Sequence, residues 1–376
     1  MELMVAMGLG AFLAAGVVSI SEDVKKSYVT SESINSTLQQ GHFALETIEM
    51  ALRLRGNYGC LEPTLGDDEV FDTNLSSYAW DVNSQIAPVS DAVPDSLVLA
   101  KSSLRGFRIS DTGAWLPDPG ALSSVQQDIV NFTNLGDSLE ATPRHSSDVF
   151  AVQYASSDGA ELALNMSSTT SEITISGEDQ ERLNFQEGDV VYLGDCVKGD
   201  VFTITGVTEM TADNTVVLEH SDSSNESIAL NNTYLQNPNV LVRRFNSDLY
   251  YIAETHIKTP RGDSVYGLYR YNLLKTDDPE LVIEGVEYLR LSYELVLSSG
   301  NVVYHPPDAA DLVNTGMLAV GAVKVSLLAS SLSSSNRYPD TKTYLLDDQL
   351  LSSSDYQNQY GVKKVFSKVV QLKNRS

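Results

Sequence analysis

Cysteine is scarce: Cys60 and Cys196 are the only two in 376 residues. That count argues against a disulfide-stapled miniature scaffold and against a cysteine-rich zinc site. It leaves two readings open, a structural pair in a domain outside the cytosol or two unrelated core thiols. Histidine is nearly as rare. His42, His145, His220, His256 and His305 are scattered without ligand spacing, so each reads as a surface or polar-core residue and no metal site is expected. Basic residues number 25 against 50 acidic ones, for a net charge of −25. Phosphate binding needs a basic face, and none is visible, so a nucleic-acid partner is not expected. The acid excess reads instead as a well-hydrated exterior. The chain has no glycine-rich phosphate loop, GxSxG elbow or HExxH helix. No cofactor is therefore expected, and the chain reads as a non-enzyme.

Helix breakers are missing from the start. No proline occurs before Pro63, and Gly41 is the only glycine between Glu22 and Arg55. Leu3 to Ile20 is a run of 18 residues without a charge. A spanning helix needs roughly 20 apolar residues, so this run spans or nearly spans a bilayer. A secretory signal would begin with basic residues, whereas this run is headed by Glu2. Lys25 and Lys26 follow the run, and the positive-inside rule then votes for a cytoplasmic C-terminal side. Glu22, Asp23 and Glu32 dilute that vote. Past the run, Ile34, Leu38, Leu45, Ile48 and Leu52 recur at helical spacing. One continuous helix is expected from about Glu2 to about Leu54, its first half in lipid and its second on a globular domain, with RGNYG (Arg55 to Gly59) as the stop. Glu2 has two readings: a headgroup-level acid favourable to the helix dipole, or a partner of a cation in the apolar layer. No Lys or Arg precedes Lys25, so that cation would be a terminal amine.

The stretch ELMVAMGLGAFLAAGVV resembles the N-terminal helix of type IV pilins, an apolar run headed by one glutamate. LQQGHFALETIEMALRLRGNYGC (Leu38 to Cys60) is similar to the PilW family of minor pilins, with its Gly-x-Phe-Ala-Leu turn and its Gly-Tyr-x-Gly-Cys-like end. Further resemblances follow in order: GDVVYLGDCVKGDVFTITGV, DLYYIAE, GLYRYN, LVIEGVEYLRLSYEL, VGAVKVSLLASS and the closing KKVFSKVVQLKNRS. The resemblance implies that Glu2 neutralises the N-terminal amine of a neighbouring subunit and so sets register. It implies a periplasmic head, and with it a Cys60–Cys196 bridge from the helix end to the sheet. Gly8, Gly10, Ala14 and Gly16 offer close helix approach through small-xxx-small pairs, or are the ordinary small residues of a membrane helix. The family's precursor carries a basic leader and a glycine cleavage site before the glutamate. Here Met1 stands directly before Glu2, so the mature start is expected about three residues upstream.

Beyond the helix, Glu62 to Pro143 is rich in Asp, Ser and Pro and reads as long loops, with SSVQQDIVNF (Ser123 to Phe132) as a short helix. From Asp148 onward strands dominate, among them VFAVQYA, AELALNM, EITIS, DVVYLGD, DVFTITGV, NTVVLEH, VLVRRF, LYYIAE, VYGLYRYN and GVEYLRLSYEL. The expected fold is α+β and pilin-like: a long N-terminal helix on a mostly antiparallel sheet. The expected divisions are a membrane or filament-core half at 1–21, an amphipathic half at 22–56, a loop-rich linker at 57–147 and a β-rich domain at 148–376. Two motifs read as turn or loop chemistry. GDDEVFDTN (Gly66 to Asn74) lacks EF-hand spacing and is a solvated acidic loop rather than a calcium site. RGD (Arg261 to Asp263) lies in a hairpin turn.

The resemblance implies a minor pilin of a tip or priming complex that initiates pilus assembly. Its partners would be other minor pilins, the major pilin and a large tip adhesin. It would sit in the inner membrane of a Gram-negative cell with a periplasmic head, then at the pilus tip. The rival readings are a type II secretion pseudopilin of the J type, and a membrane-tethered periplasmic adhesin or enzyme.

Overall fold

The computed structural model describes residues 2–59, 103–117 and 141–372, except 197, 211–212, 222–228, 231, 275–278, 297–299, 311, 313–316, 318–319 and 334–337, and except the side chains of 2, 3, 5 and 6. Cys60, the acidic loop at 66–74 and the short helix expected at 123–132 lie outside the described residues.

Helix α1 spans Glu2–Leu54 without a break. It stops where the backbone turns left-handed at Gly56, φ 65°, a conformation that costs glycine nothing. Asn57 N–H closes the end on the Leu54 carbonyl at 3.0 Å. The chain then builds β1 (Leu104–Ile109), β2 (Trp115–Leu116) and β3 (Asp148–Glu161). An excursion follows with β4 (Ile173–Ser176), α2 (Gly177–Leu183), β5 (Val190–Gly194), β6 (Gly199–Thr203), β7 (Gly206–Met210) and β8 (Thr215–Glu219). The C-terminal part holds β9 (Leu241–Lys258), β10 (Ser264–Asn272), β11 (Glu280–Glu284), β12 (Val286–Val296), β13 (Val302–His305), β14 (Ala322–Ser330), β15 (Tyr344–Leu346), β16 (Gln349–Leu351) and β17 (Lys363–Gln371).

The larger sheet has the order β11-β10-β9-β3-β1-β2, and β5 adds to the first half of β9 with β6 beside it. The second sheet has the order β13-β12-β14-β17. Every pairing in both is antiparallel. The main core lies between these sheets and α1. It gathers Leu45, Ile48 and Leu52 from the helix, Phe150, Ile252 and Leu268 from the first sheet, and Leu289, Leu291, Leu327 and Val370 from the second. The opposite face of the first sheet carries an aromatic cluster with Phe107, Trp115, Tyr192, Phe245 and Tyr251. Glu161 pairs directly with Leu241, so the residues between them leave and re-enter at one point. Besides β5 and β6 they form the three-stranded sheet β4-β8-β7, over a core around Ile173, Phe202 and Leu218.

Two strands lie inside the stretch read as loop-rich, residues 57–147. LRGFRI is β1, because its partner β3 supplies the pairing that its sequence does not advertise. The AELALNM run belongs to β3 only through Glu161, and VLVRRF and LYYIAE are one strand, β9.

Candidate assembly interface

Among the described residues one helix is long and apolar enough to cross a membrane, and the apolar window is not buried against the head. Met4, Met7, Leu9, Phe12, Leu13, Val17, Val18 and Ile20 are 59 to 83 % exposed. Burying a side chain of this kind is worth about 1.5–3 kcal/mol, so leaving eight in water forgoes on the order of 10–20 kcal/mol. A whole domain has only about 5–15 kcal/mol of stability. The natural surroundings of this half-helix are therefore lipid or other apolar helices. Gly8, Gly10, Ala14 and Gly16 are exposed on it, and a Cβ on any of the three glycines would meet nothing within 4 Å. No contact inside the chain explains these glycines. Glu2 begins the helix at its far end, distant in sequence from the head. Lys26, at the edge of the apolar half, lies 4.0 Å from Glu22 and 3.7 Å from Asp23. Exposed pairs like these are weak.

The second half of α1 is fastened to the head along a stripe that begins polar. Ser33, Thr37, Gln40, Gly41, Ala44, Leu45, Ile48, Ala51 and Leu52 are buried. Of the residues expected to lead this stripe, Ile34 is 42 % exposed and Leu38 only partly buried. The Ser33 and Thr37 hydroxyls donate back to the Val29 and Ser33 carbonyls, each at 2.8 Å. Self-satisfied hydroxyls can be buried at small cost, and their small size lets helix and strand approach closely. Gly41 takes this furthest: a Cβ there would stand 2.2 Å from the Phe366 ring of β17. Lower down, Lys368 of β17 donates to Glu49, and Arg53 lies 2.8 Å from the same carboxylate. The hydrogen bond from Lys368 holds the Glu49 carboxyl below the usual glutamate range. At the helix end, Gly56 N–H donates to the Gln153 carbonyl and Ala155 N–H to the Asn57 carbonyl, both at 2.9 Å. Tyr58 then stacks on Tyr192, 5.6 Å between centroids.

The rigid seat for the helix depends on a charge cluster that the sequence reading did not anticipate. Asp148 of β3 is fully buried. Arg290 of β12 and Arg108 of β1 each donate to its Oδ1 at 2.9 Å, and Leu291 N–H donates to Oδ2 at 2.7 Å. Burial acts to raise this carboxyl above the usual range, and the two guanidiniums oppose it. One carboxylate thus joins both sheets. The Arg290 guanidinium also donates through Nε to Gln349 at 2.7 Å, tying in the β15–β16 hairpin. A second link is Arg144, which lies over the rings of Tyr266 and Tyr288, 3.8 and 4.0 Å from their centroids. The sequence signal for the first link is Arg290, a charged residue between two leucines in GVEYLRLSYEL.

Other candidates are absorbed by structure. The RGD motif is a turn with Gly262 at φ 90°; Arg261 N–H and Asp263 N–H donate to the Thr259 hydroxyl at 3.3 and 3.1 Å. The Arg261 guanidinium lies 4.0 Å from the centre of the Tyr360 ring. A recess of about 250 Å³ beside β11 is lined by Glu254, Thr255, His256, Tyr269 and Leu281. Its carboxylate is already engaged by Lys258 and by Ser264, 2.7 Å away. Among the described residues no group of three His, Cys, Asp or Glu side chains could hold a metal ion. Cys196, in the turn between β5 and β6, is not a free thiol.

A search of curated proteins returned no match to this chain. Residues 250–374, which hold the second half of β9 and all of β10 to β17, match the family PilW, described as type IV pilus-assembly protein W. The C-terminal part of the chain is thus similar to the PilW family of type IV pilus assembly.

Proposed function

We propose that this protein is a minor pilin of a type IV pilus, non-enzymatic, working in the tip or priming complex that starts filament growth. The single observation that carries this reading is the exposed apolar half of α1, continuous with a second half that packs on β17 of the region matching PilW. Assembly then moves that half-helix from lipid into a bundle of similar helices. Glu2 takes the register role: its carboxylate meets the terminal amine of a neighbouring subunit in a medium where an unpaired charge is costly. Gly8, Gly10, Ala14 and Gly16 supply close approach to a neighbouring helix. Its partners are other minor pilins and the major pilin, with a large tip adhesin seated beyond them. The head lies in the periplasm before assembly and at the pilus tip afterwards. A Cys60–Cys196 bridge would fix the helix end to the β5–β6 hairpin. Two observations support it: Cys60 is the only other cysteine in the chain, and Tyr58 already packs on Tyr192 four residues before Cys196.

Glu2→Ala tests the register role. Surface piliation is expected to fall at least about tenfold, the effect of losing about 1.4 kcal/mol or more of subunit docking, while the head keeps its protease resistance. Unchanged piliation would remove that role.

A further inference from the structure

The second sheet shows its two faces different chemistry. On β12, Leu289, Leu291, Tyr293 and Leu295 enter the core. Arg290, Ser292, Glu294 and Val296 alternate with them and stand on the outer face. The β15–β16 hairpin covers one end of that face. Arg290 Nε donates to Gln349 Oε1 at 2.7 Å, Ser292 donates to Asp347, and Lys324 Nζ lies 2.6 Å from Asp347. Leu346 and Leu351 of the hairpin are buried against Tyr288 and Leu328.

The other end of the face is open, and it is apolar. Glu294 sits opposite Tyr304, and Val296 opposite Val302. Val296, Val302 and Tyr304 are 43, 54 and 39 % exposed. The hairpin's own outward side repeats the pattern: Leu345 is paired with Leu350, and they are 59 and 67 % exposed. A sheet face turned to water normally carries polar side chains at these positions. The residues flanking the hairpin, Lys342 and Thr343 on one side and Ser352 to Ser354 on the other, are polar as usual. The leucine pair is therefore a local exception and not a drift in composition. The bonds at Gln349 and Asp347 hold the pair in place before any partner arrives, which lowers the ordering cost of docking.

Acids border this stepped surface. Glu294 stands beside Tyr304, whose hydroxyl donates to it at 3.1 Å, and Asp348, 54 % exposed, stands at the hairpin turn 3.8 Å from Arg108. A complementary face would be apolar at its centre with lysine or arginine at its rim. We propose that Leu345, Leu350, Val296, Val302 and Tyr304 form a docking surface for another pilus subunit that presents such a face. The class of partner rests on the pilus reading; the surface itself does not involve α1.

The test uses the full-length chain in cells that build pili. A photoreactive benzoylphenylalanine replaces Leu350 or Val302, with exposed Glu178 on α2 as the control position. Crosslinks to a pilus subunit are expected at 350 and 302, at least roughly tenfold above the control, as for a surface that carries binding energy. In parallel, Leu345→Asp is expected to reduce surface pili about tenfold at unchanged chain level and protease resistance. Crosslinks no more frequent than at 178 would overturn the proposal, whatever the folding of Leu345→Asp, and so would normal piliation of that variant. If Glu2→Ala also left piliation unchanged, the pilus reading would fall; if only Glu2→Ala lowered it, the docking surface alone would.

Discussion

Asp148→Ala is expected to destabilise the head by about 3–5 kcal/mol, the usual cost of removing one member of a buried ion pair. The aspartate accepts from Arg290, Arg108 and Leu291 N–H, and it has no exposed surface. Its removal leaves Arg290, whose side chain is only 6 % exposed, without this carboxylate and with the neutral Gln349 amide as a partner. The loss is a large share of the about 5–15 kcal/mol that holds a domain together. Arg290→Met in the same chain should recover part of it, because two apolar groups replace two charges that would otherwise be unpaired. Chemical unfolding of the full chain in detergent measures both. A loss under about 1 kcal/mol, the value of an exposed pair, would mean that the cluster is solvated and does not join the sheets.

Gly41→Val is expected to part α1 from β17. The new Cβ would lie 2.2 Å from Phe366, and the neighbouring ring atoms are at 2.4 and 2.6 Å. No side chain fits without moving the ring or the helix. Overpacking of this kind costs about 1–3 kcal/mol, on top of the lower helix propensity of valine. The same substitution with Phe366→Ala should be less harmful than Gly41→Val alone, since space is returned at the point of contact. Protease cleavage between helix and head, or faster hydrogen exchange along 33–52, reads the separation. Equal stability of wild type and Gly41→Val would show that the helix does not press on β17.

Part of this was legible beforehand. The helix ends could be read because nothing in the first 54 residues breaks a helix and RGNYG does. The strands with apolar alternation could be read for the same local reason. The buried stripe of α1 was read one position off at its start, because close approach is made by Ser33, Thr37 and Gly41, which carry no hydrophobic signal. β1 was hidden because LRGFRI holds two arginines and a glycine. Arg108 belongs there through Asp148, and Gly106 because a Cβ would meet the Tyr293 hydroxyl at 2.1 Å. β9 looked like two strands because Asn246, Ser247 and Asp248 interrupt it. Ser247 and Asp248 are buried, and Tyr154 donates to Asp248 at 2.7 Å and Arg270 at 3.1 Å. Each miss is a small or polar residue whose place is set by a neighbour distant in sequence. A pattern along the chain cannot register a bond that only the folded topology creates.

On the proposed function, α1 leaves the membrane to become part of a filament. The mass of the native N-terminal peptide, taken from both membranes and sheared filaments, tests it most directly. A processed N-terminus, on a peptide also recovered from filaments, is the expected result. A chain that begins unprocessed at Met1 and is confined to membranes would contradict it.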